Sequence, residues 1–216
     1  HNVTKEFYIN DAVNQIAKFG LSLEARYMQH FKGEENVPFP EDGYHGEDIK
    51  ERAEQYIEEF GDNLLELSSE ERQQRLINYA LPINIEKLRT DLSNYRIEYD
   101  VWFKESVLHE NGLINEIIEK LRAKGLIYEQ EGATWYKATD FCGEKDEVLV
   151  RANGFPTYFA ADIAYHYNKF LIRGFDKVIN VWGADHHGHV ARLKGAMDAL
   201  DIGGDKLDIV LMQLVR

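Results

Sequence analysis

The chain has a single cysteine, Cys142, among 216 residues. That excludes an intrachain disulfide framework and fits a reducing, intracellular setting. No apolar run approaches membrane-spanning length, and no signal-peptide pattern opens the sequence. Internal repeats and low-complexity tracts are absent as well. Basic residues are in deficit: Lys and Arg number 25 against 38 Asp and Glu, a net charge of −13. Bulk electrostatics therefore argues against nucleic acid, whose phosphates are held by Lys and Arg. The argument is weak, because a local patch can oppose the net charge. The acidity is also concentrated. Between Glu34 and Arg72 stand 14 acidic residues against 3 basic ones, a local balance of −11.

What is present is an α/β alternation. Val3 to Ile9 alternates as a strand, and Ala12 to about Phe31 carries apolar residues at helical spacing: Ile16, Phe19, Leu23, Tyr27 and Met28. Gly33 to Gly46, with Pro38 and Pro40, reads as a linker. Glu47 to Leu67 reads as a charged helix with a solvated acidic face. Ser68-Ser69-Glu70-Glu71 caps another helix to about Ala80, and Leu81-Pro82 is expected to end it. Ile83 to Tyr95 and Leu113 to Lys124 form two more helices. Thr134 to Thr139 and Glu147 to Ala152 alternate around the turn Cys142 to Asp146 as a β-hairpin.

The chain is organised around Thr157 to His189. A helical pattern from Phe159 to Leu171 is followed by the apolar run Lys177 to Trp182, a buried parallel strand by its composition. Gly183-Ala184-Asp185 breaks it, and a second helix follows through Val190, Leu193, Ala196, Met197 and Leu200. Leu207 to Val215 is expected to be a further buried strand. Helix, strand, polar turn and helix is the grammar of a doubly wound sheet, in which ligands bind beyond the carboxyl ends of strands. The expected architecture is an α/β core in two pieces, about 1–36 and 155–216. A mostly helical insertion over 37–154, with a β-hairpin, separates them. Both ends of the chain look cut.

Two groups of residues can carry chemistry. Tyr158 and Asp162 stand four apart, on one helix face. A carboxylate beside a phenol can hold a cationic group and is the planar match for a guanidinium; a plain surface pair has the same spacing. Gly183 to His189 (GADHHGH) is denser. Gly183 lets a ligand approach the backbone, Asp185 can accept from a ribose hydroxyl, and the histidines sit at a helix N-terminus that favours phosphate. Three histidines in four positions also raise a metal site. Their crowding argues against one, since zinc ligands favour i,i+4 or strand spacing backed by a distant partner.

The segments EFYINDAVNQI (6–16), YHGEDIKERA (44–53), EYDVWFKES (98–106), 132–166, DKVINVWGADHHGHVARLKGAM (176–197) and the closing LMQLVR resemble arginyl-tRNA synthetase. The likeness covers almost the whole length. It implies a class I Rossmann-like catalytic fold interrupted by a connective insertion. The substrates implied are ATP, with Mg2+, L-arginine and tRNA(Arg), through an arginyl-adenylate, in the cytoplasm. By the same resemblance Tyr158, Asp162 and His186 contact arginine, while Gly183, Asp185 and His189 line the ATP site. No resident metal is implied. His186 to His189 also fits the H-x-G-H phosphate signature of class I synthetases. That signature belongs after the first strand of the fold, so the role is not assigned here. Val13 replaces a usual glycine, leaving Asn14 and Gln15 unassigned. The true H-x-G-H is expected upstream of His1 and the lysine loop beyond Arg216, together with tRNA-elbow and anticodon-binding domains, so the piece is expected to be inactive alone. A non-catalytic nucleotide or cationic-ligand module of the same fold is the alternative. A His-metal hydrolase rests on the histidine cluster alone.

Overall fold

A computed structural model describes residues 1–141 and 143–213; of Val13 and Asn14 only the backbone is described. Cys142 and the end of the expected last strand, with the closing residues 214–216, lie outside that description. The chain divides into two compact units, His1–Lys104 and Glu105–Arg216. Each is taken by itself.

In the first unit, strand β1 (Glu6–Ile9) leads into helix α1 (Val13–Lys32), and α2 (Glu47–Phe60) and α3 (Ser69–Asn94) pack against it. Their shared core is Phe19, Leu23, Tyr27, Ile49, Tyr56, Leu64, Leu76 and Ile77. The acidic residues of α2 face solvent, as expected, around the buried stripe Ile49, Ala53 and Tyr56.

Two helix boundaries differ from expectation. α2 stops at Phe60 rather than Leu67, because Gly61 takes φ +64° and the following turn is captured from elsewhere. The Arg72 guanidinium donates to the carbonyls of Leu64, Leu65 and Leu67, and it pairs with Glu24 at 2.5 Å. Backbone groups held by a buried arginine are not free to continue a helix. Conversely, α3 does not end at Pro82. The capping box Ser68–Glu71 opens it as predicted, but it runs through the proline to Asn94, so the separate helix expected from Ile83 is its second half. Pro82 and Asn78 are both exposed. The carbonyl that proline leaves unpaired is that of Asn78, and it can turn to water.

Strand β2 (Val101–Lys104) carried no strand assignment from the sequence. It pairs in parallel with β1, from Glu6↔Val101 to Ile9↔Lys104, although it lies within the span expected as the insertion.

The second unit contains α4 (Ser106–Glu110), α5 (Leu113–Ala123) and an antiparallel sheet of three strands. These are β3 (Ile127–Gln130), β4 (Ala133–Tyr136) and β5 (Glu147–Val150). The expected hairpin is β4–β5, with strands shorter than predicted because Ala138–Phe141 coils into a 3-10 turn. β3 was missed. It meets β4 through the two-residue loop Glu131-Gly132, both at positive φ (52° and 75°), the geometry that matches strand twist in tight hairpins.

Helix α6 (Tyr158–Tyr167) runs on through a π-type turn at Asn168–Ile172. Strand β6 (Val178–Gly183), a 3-10 turn at Ala184–His186 and α7 (His187–Ala199) follow. Then β7 (Leu207–Met212) pairs with β6 in parallel and in register. The polar break after β6 therefore comes after Gly183 instead of at it. Gly195 of α7 is a close-approach glycine: a Cβ there would collide with the Phe141 carbonyl. The chain is thus α/β, with small parallel and antiparallel sheets. Among the described residues no helix is long and apolar enough to cross a membrane.

Candidate active site

The site assembles where the start of α6 meets the carboxyl end of β6. The start of α6 is fixed by β5. Thr157 caps the helix by accepting from the Ala160 N–H, donates its hydroxyl to the Val148 carbonyl at 2.7 Å, and donates its own N–H to the Leu149 carbonyl at 2.8 Å. Nine residues beyond Thr157, His166 fastens α6 to β6. Its Nδ1 faces the Asp162 carbonyl at 2.7 Å, and its Nε2 faces the Asn180 side-chain amide at 2.7 Å. A ring nitrogen facing a carbonyl must carry the proton, so Nε2 is the acceptor and Asn180 the donor. His166 is fully buried, and desolvation lowers its pKa to about 4, helped by the nearby Lys169 charge. The ring is neutral near pH 7.

On this anchored helix Tyr158 is half-exposed and shares a face with Asp162. The Asp162 side chain is 29% exposed, so it is partly desolvated yet reachable. Its Oδ2 accepts from His189 Nε2 at 2.7 Å. The His189 ring lies between Phe159 (ring centroids 5.5 Å apart) and Trp182 (5.4 Å), and Trp182 also neighbours His186 at 5.7 Å. Asp185 and His186 are exposed and 3.8 Å apart, and the Asp185 carboxylate folds back over Gly183, where a Cβ would strike it.

The structure therefore brings together Asp162 and His189, and through Trp182 it brings in His186 with Asp185 and Gly183. Tyr158 stands four residues from Asp162 on the same helix face and is exposed. Four further residues escaped the sequence reading: His166, Asn180, Arg192 and Glu147. Arg192 Nε donates to His189 Nδ1 at 2.9 Å, and its NH1 donates to Glu147 Oε1 at 2.8 Å. For Arg192 a signal existed in its three-residue spacing from His189 on one helix; Glu147, 45 residues away, left none. Among the described residues no group of three His, Cys, Asp or Glu could hold a metal ion.

A partly buried carboxylate on a helix face, beside an exposed strand-end turn of Gly, Asp and His, suits a cationic ligand next to a nucleotide. The catalytic-domain model of class I tRNA synthetases of the arginine type matches residues 4–201. The chain belongs to that family.

Its relatives include the arginine–tRNA ligases of Acetivibrio thermocellus and Caldanaerobacter subterraneus. They are 62% and 60% identical over the full 216 residues. The chain spans 38% of the length of each. Among solved structures, a Campylobacter jejuni chain assigned as an arginyl-tRNA synthetase superposes with a TM-score of 0.87 at 37% identity. It covers 98% of this chain and 45% of that one. The Thermus thermophilus arginyl-tRNA synthetase shares the fold at a TM-score of 0.66 and 20% identity, over 98% and 42% of the two chains.

Proposed function

We propose that this segment forms part of the catalytic domain of an arginine–tRNA ligase. That enzyme activates L-arginine with ATP to arginyl-adenylate and transfers it to tRNA(Arg) in the cytoplasm. The observation that carries the reading is Asp162. It is a carboxylate held by His189 on an anchored helix, next to the carboxyl end of β6, in a chain of this family. Arginine keeps its charge at any physiological pH, so a site selecting it needs a fixed anion. Tyr158, on the same face, adds a hydroxyl acceptor, and His186 flanks the amino acid. Gly183, Asp185 and His189 are assigned to the ATP side, with Asp185 accepting from a ribose hydroxyl. ATP enters as a substrate with Mg2+, and no resident cofactor is invoked. The parallel pairs β1–β2 and β6–β7 support a Rossmann-like core drawn from about 1–36 and 155–216. Residues 37–154 are then the connective insertion, within which β2 pairs with β1.

The test is pyrophosphate exchange by the full-length ligase carrying this segment. Asp162→Asn keeps the side-chain size but sets an amide donor against guanidinium donors. Removing one partner of a desolvated charge pair costs about 2–5 kcal/mol. Arginine dependence is expected to weaken by well over tenfold (about 1.4 kcal/mol per decade), with ATP dependence nearly unchanged. Equal damage to both substrates would move the guanidinium role to another carboxylate.

A further inference from the structure

We propose that Glu147, Arg192 and His189 form a positioning relay that sets the Asp162 carboxylate for the guanidinium, a proposal resting on the ligase reading above. The four side chains make a continuous chain of polar contacts. Glu147 Oε1 accepts from Arg192 NH1 at 2.8 Å, Arg192 Nε donates to His189 Nδ1 at 2.9 Å, and His189 Nε2 donates to Asp162 Oδ2 at 2.7 Å. The direction of the relay is dictated by its source. A guanidinium can only donate, so it obliges Nδ1 to be the acceptor and places the imidazole proton on Nε2. That proton points at Asp162. Without the arginine only Asp162 itself would favour that tautomer, and the other one, with an Nε2 lone pair against a carboxylate oxygen, would no longer be excluded from the Nδ1 side.

The relay is braced at both ends. Glu147 is mostly buried, with a side chain 16% exposed, and it begins β5, the strand whose next two carbonyls hold Thr157 at the start of α6. The Arg192 guanidinium also lies 5.6 Å from the Phe159 ring centroid, and the His189 ring is confined between Phe159 and Trp182. Asp162 is therefore aimed through side chains rooted in β5 and α7, while its own helix hangs from the same β5. Bidentate recognition of a guanidinium requires the carboxylate plane to be fixed, which is the service the relay performs. His189, assigned above to the ATP side, also reaches the amino-acid side through its contact with Asp162. Arg192 and Glu147 touch no substrate; they act through His189.

The experiment uses the full-length ligase and measures Michaelis constants for arginine and ATP in pyrophosphate exchange. It compares wild type, Arg192→Lys, His189→Gln and the double variant. Arg192→Lys keeps a cation for Glu147 but replaces two donors fixed on separate nitrogens by one rotatable ammonium, so the geometry towards His189 is no longer held. His189→Gln keeps an N–H donor for Asp162 that needs no tautomer lock. The expected result is about a tenfold rise in the arginine constant for Arg192→Lys, with the ATP constant and kcat at saturating arginine within about twofold. In the His189→Gln background, Arg192→Lys should add less than about twofold, because its target is gone. Additive effects, equal loss for both substrates, or an unchanged arginine constant in Arg192→Lys would overturn the relay while leaving the ligase reading intact. Absence of arginine-dependent exchange in the wild type would overturn the ligase reading, and the relay with it.

Discussion

At the scale of single residues, burial and hydrogen-bond direction decide what each histidine does. His186 is exposed beside Asp185, His189 is locked between Asp162 and Arg192, and His166 is buried and neutral. The last has a thermodynamic consequence. Its folded pKa of about 4 lies below the ordinary 6.5, so as pH falls from 6.5 the unfolded chain takes up a proton that the native one refuses. Stability is therefore full above the unfolded value and is lost as pH falls towards the folded one, at roughly 1.4 kcal/mol per unit and about 3 kcal/mol in all. Urea unfolding of the chain at pH 7 and pH 5 should show a loss about 2 kcal/mol larger in the wild type than in His166→Gln. Equal losses would mean that His166 titrates normally. Tyr158→Phe belongs to the same scale. It removes a hydroxyl but no charge, so in the ligase it should raise the arginine constant less than Asp162→Asn does.

At the scale of elements, the deviations from sequence expectation arise where capping, burial or contacts with a neighbouring segment outweighed the preference of the residue at the boundary. Proline normally ends a helix, yet α3 passes through Pro82 because its first half is anchored by a capping box and by buried Leu76, Ile77 and Ala80. The second half then extends from an established helix, where nucleation is no longer required. The passage is still costly. Pro82→Ala restores an N–H to the exposed Asn78 carbonyl, a gain of about 3 kcal/mol on propensity alone, partly offset by about 1 kcal/mol of lost restriction in the unfolded chain. A net stabilisation of about 2 kcal/mol is expected from that difference. It would be read as a higher urea midpoint at unchanged slope. A lowered midpoint would show that the proline ring makes contacts worth more than the missing bond. The opposite error, α2 drawn too long, arises because Gly61 and the Arg72 contacts take the following residues out of the helix.

At the scale of the whole molecule, the chain spans 38% of its ligase relatives, and adenylate formation depends on groups that meet charge developing on the phosphates. The phosphate-binding H-x-G-H expected after a first strand has no counterpart in that position here, since His186–His189 follows β6. The 216-residue chain alone is therefore expected to give no measurable arginine-dependent pyrophosphate exchange, measured beside the full-length protein that carries this segment. Exchange by the isolated chain near the full-length rate would mean that its own residues supply the phosphate contacts.

The sequence by itself determined the family and the elements with a strong period. α1, α5 and α7 were legible because each buries one regular stripe, which is written locally, and β6 and β7 because each is a short apolar run, although Ile179, Val181, Val210 and Met212 of those strands are exposed rather than buried as expected. It also marked Tyr158 and Asp162, since helical spacing alone puts them on one face. Only the tertiary structure decided that β2 and β3 are strands, because four residues become a strand when a partner edge takes their hydrogen bonds. Only the tertiary structure, likewise, joined Glu147, Arg192, His189 and Asp162. These residues come from β5, α6 and α7, and contacts between segments so far apart in the chain leave no periodic trace. Spacing along the chain reports which side a residue faces; what it meets there is set by how the elements pack.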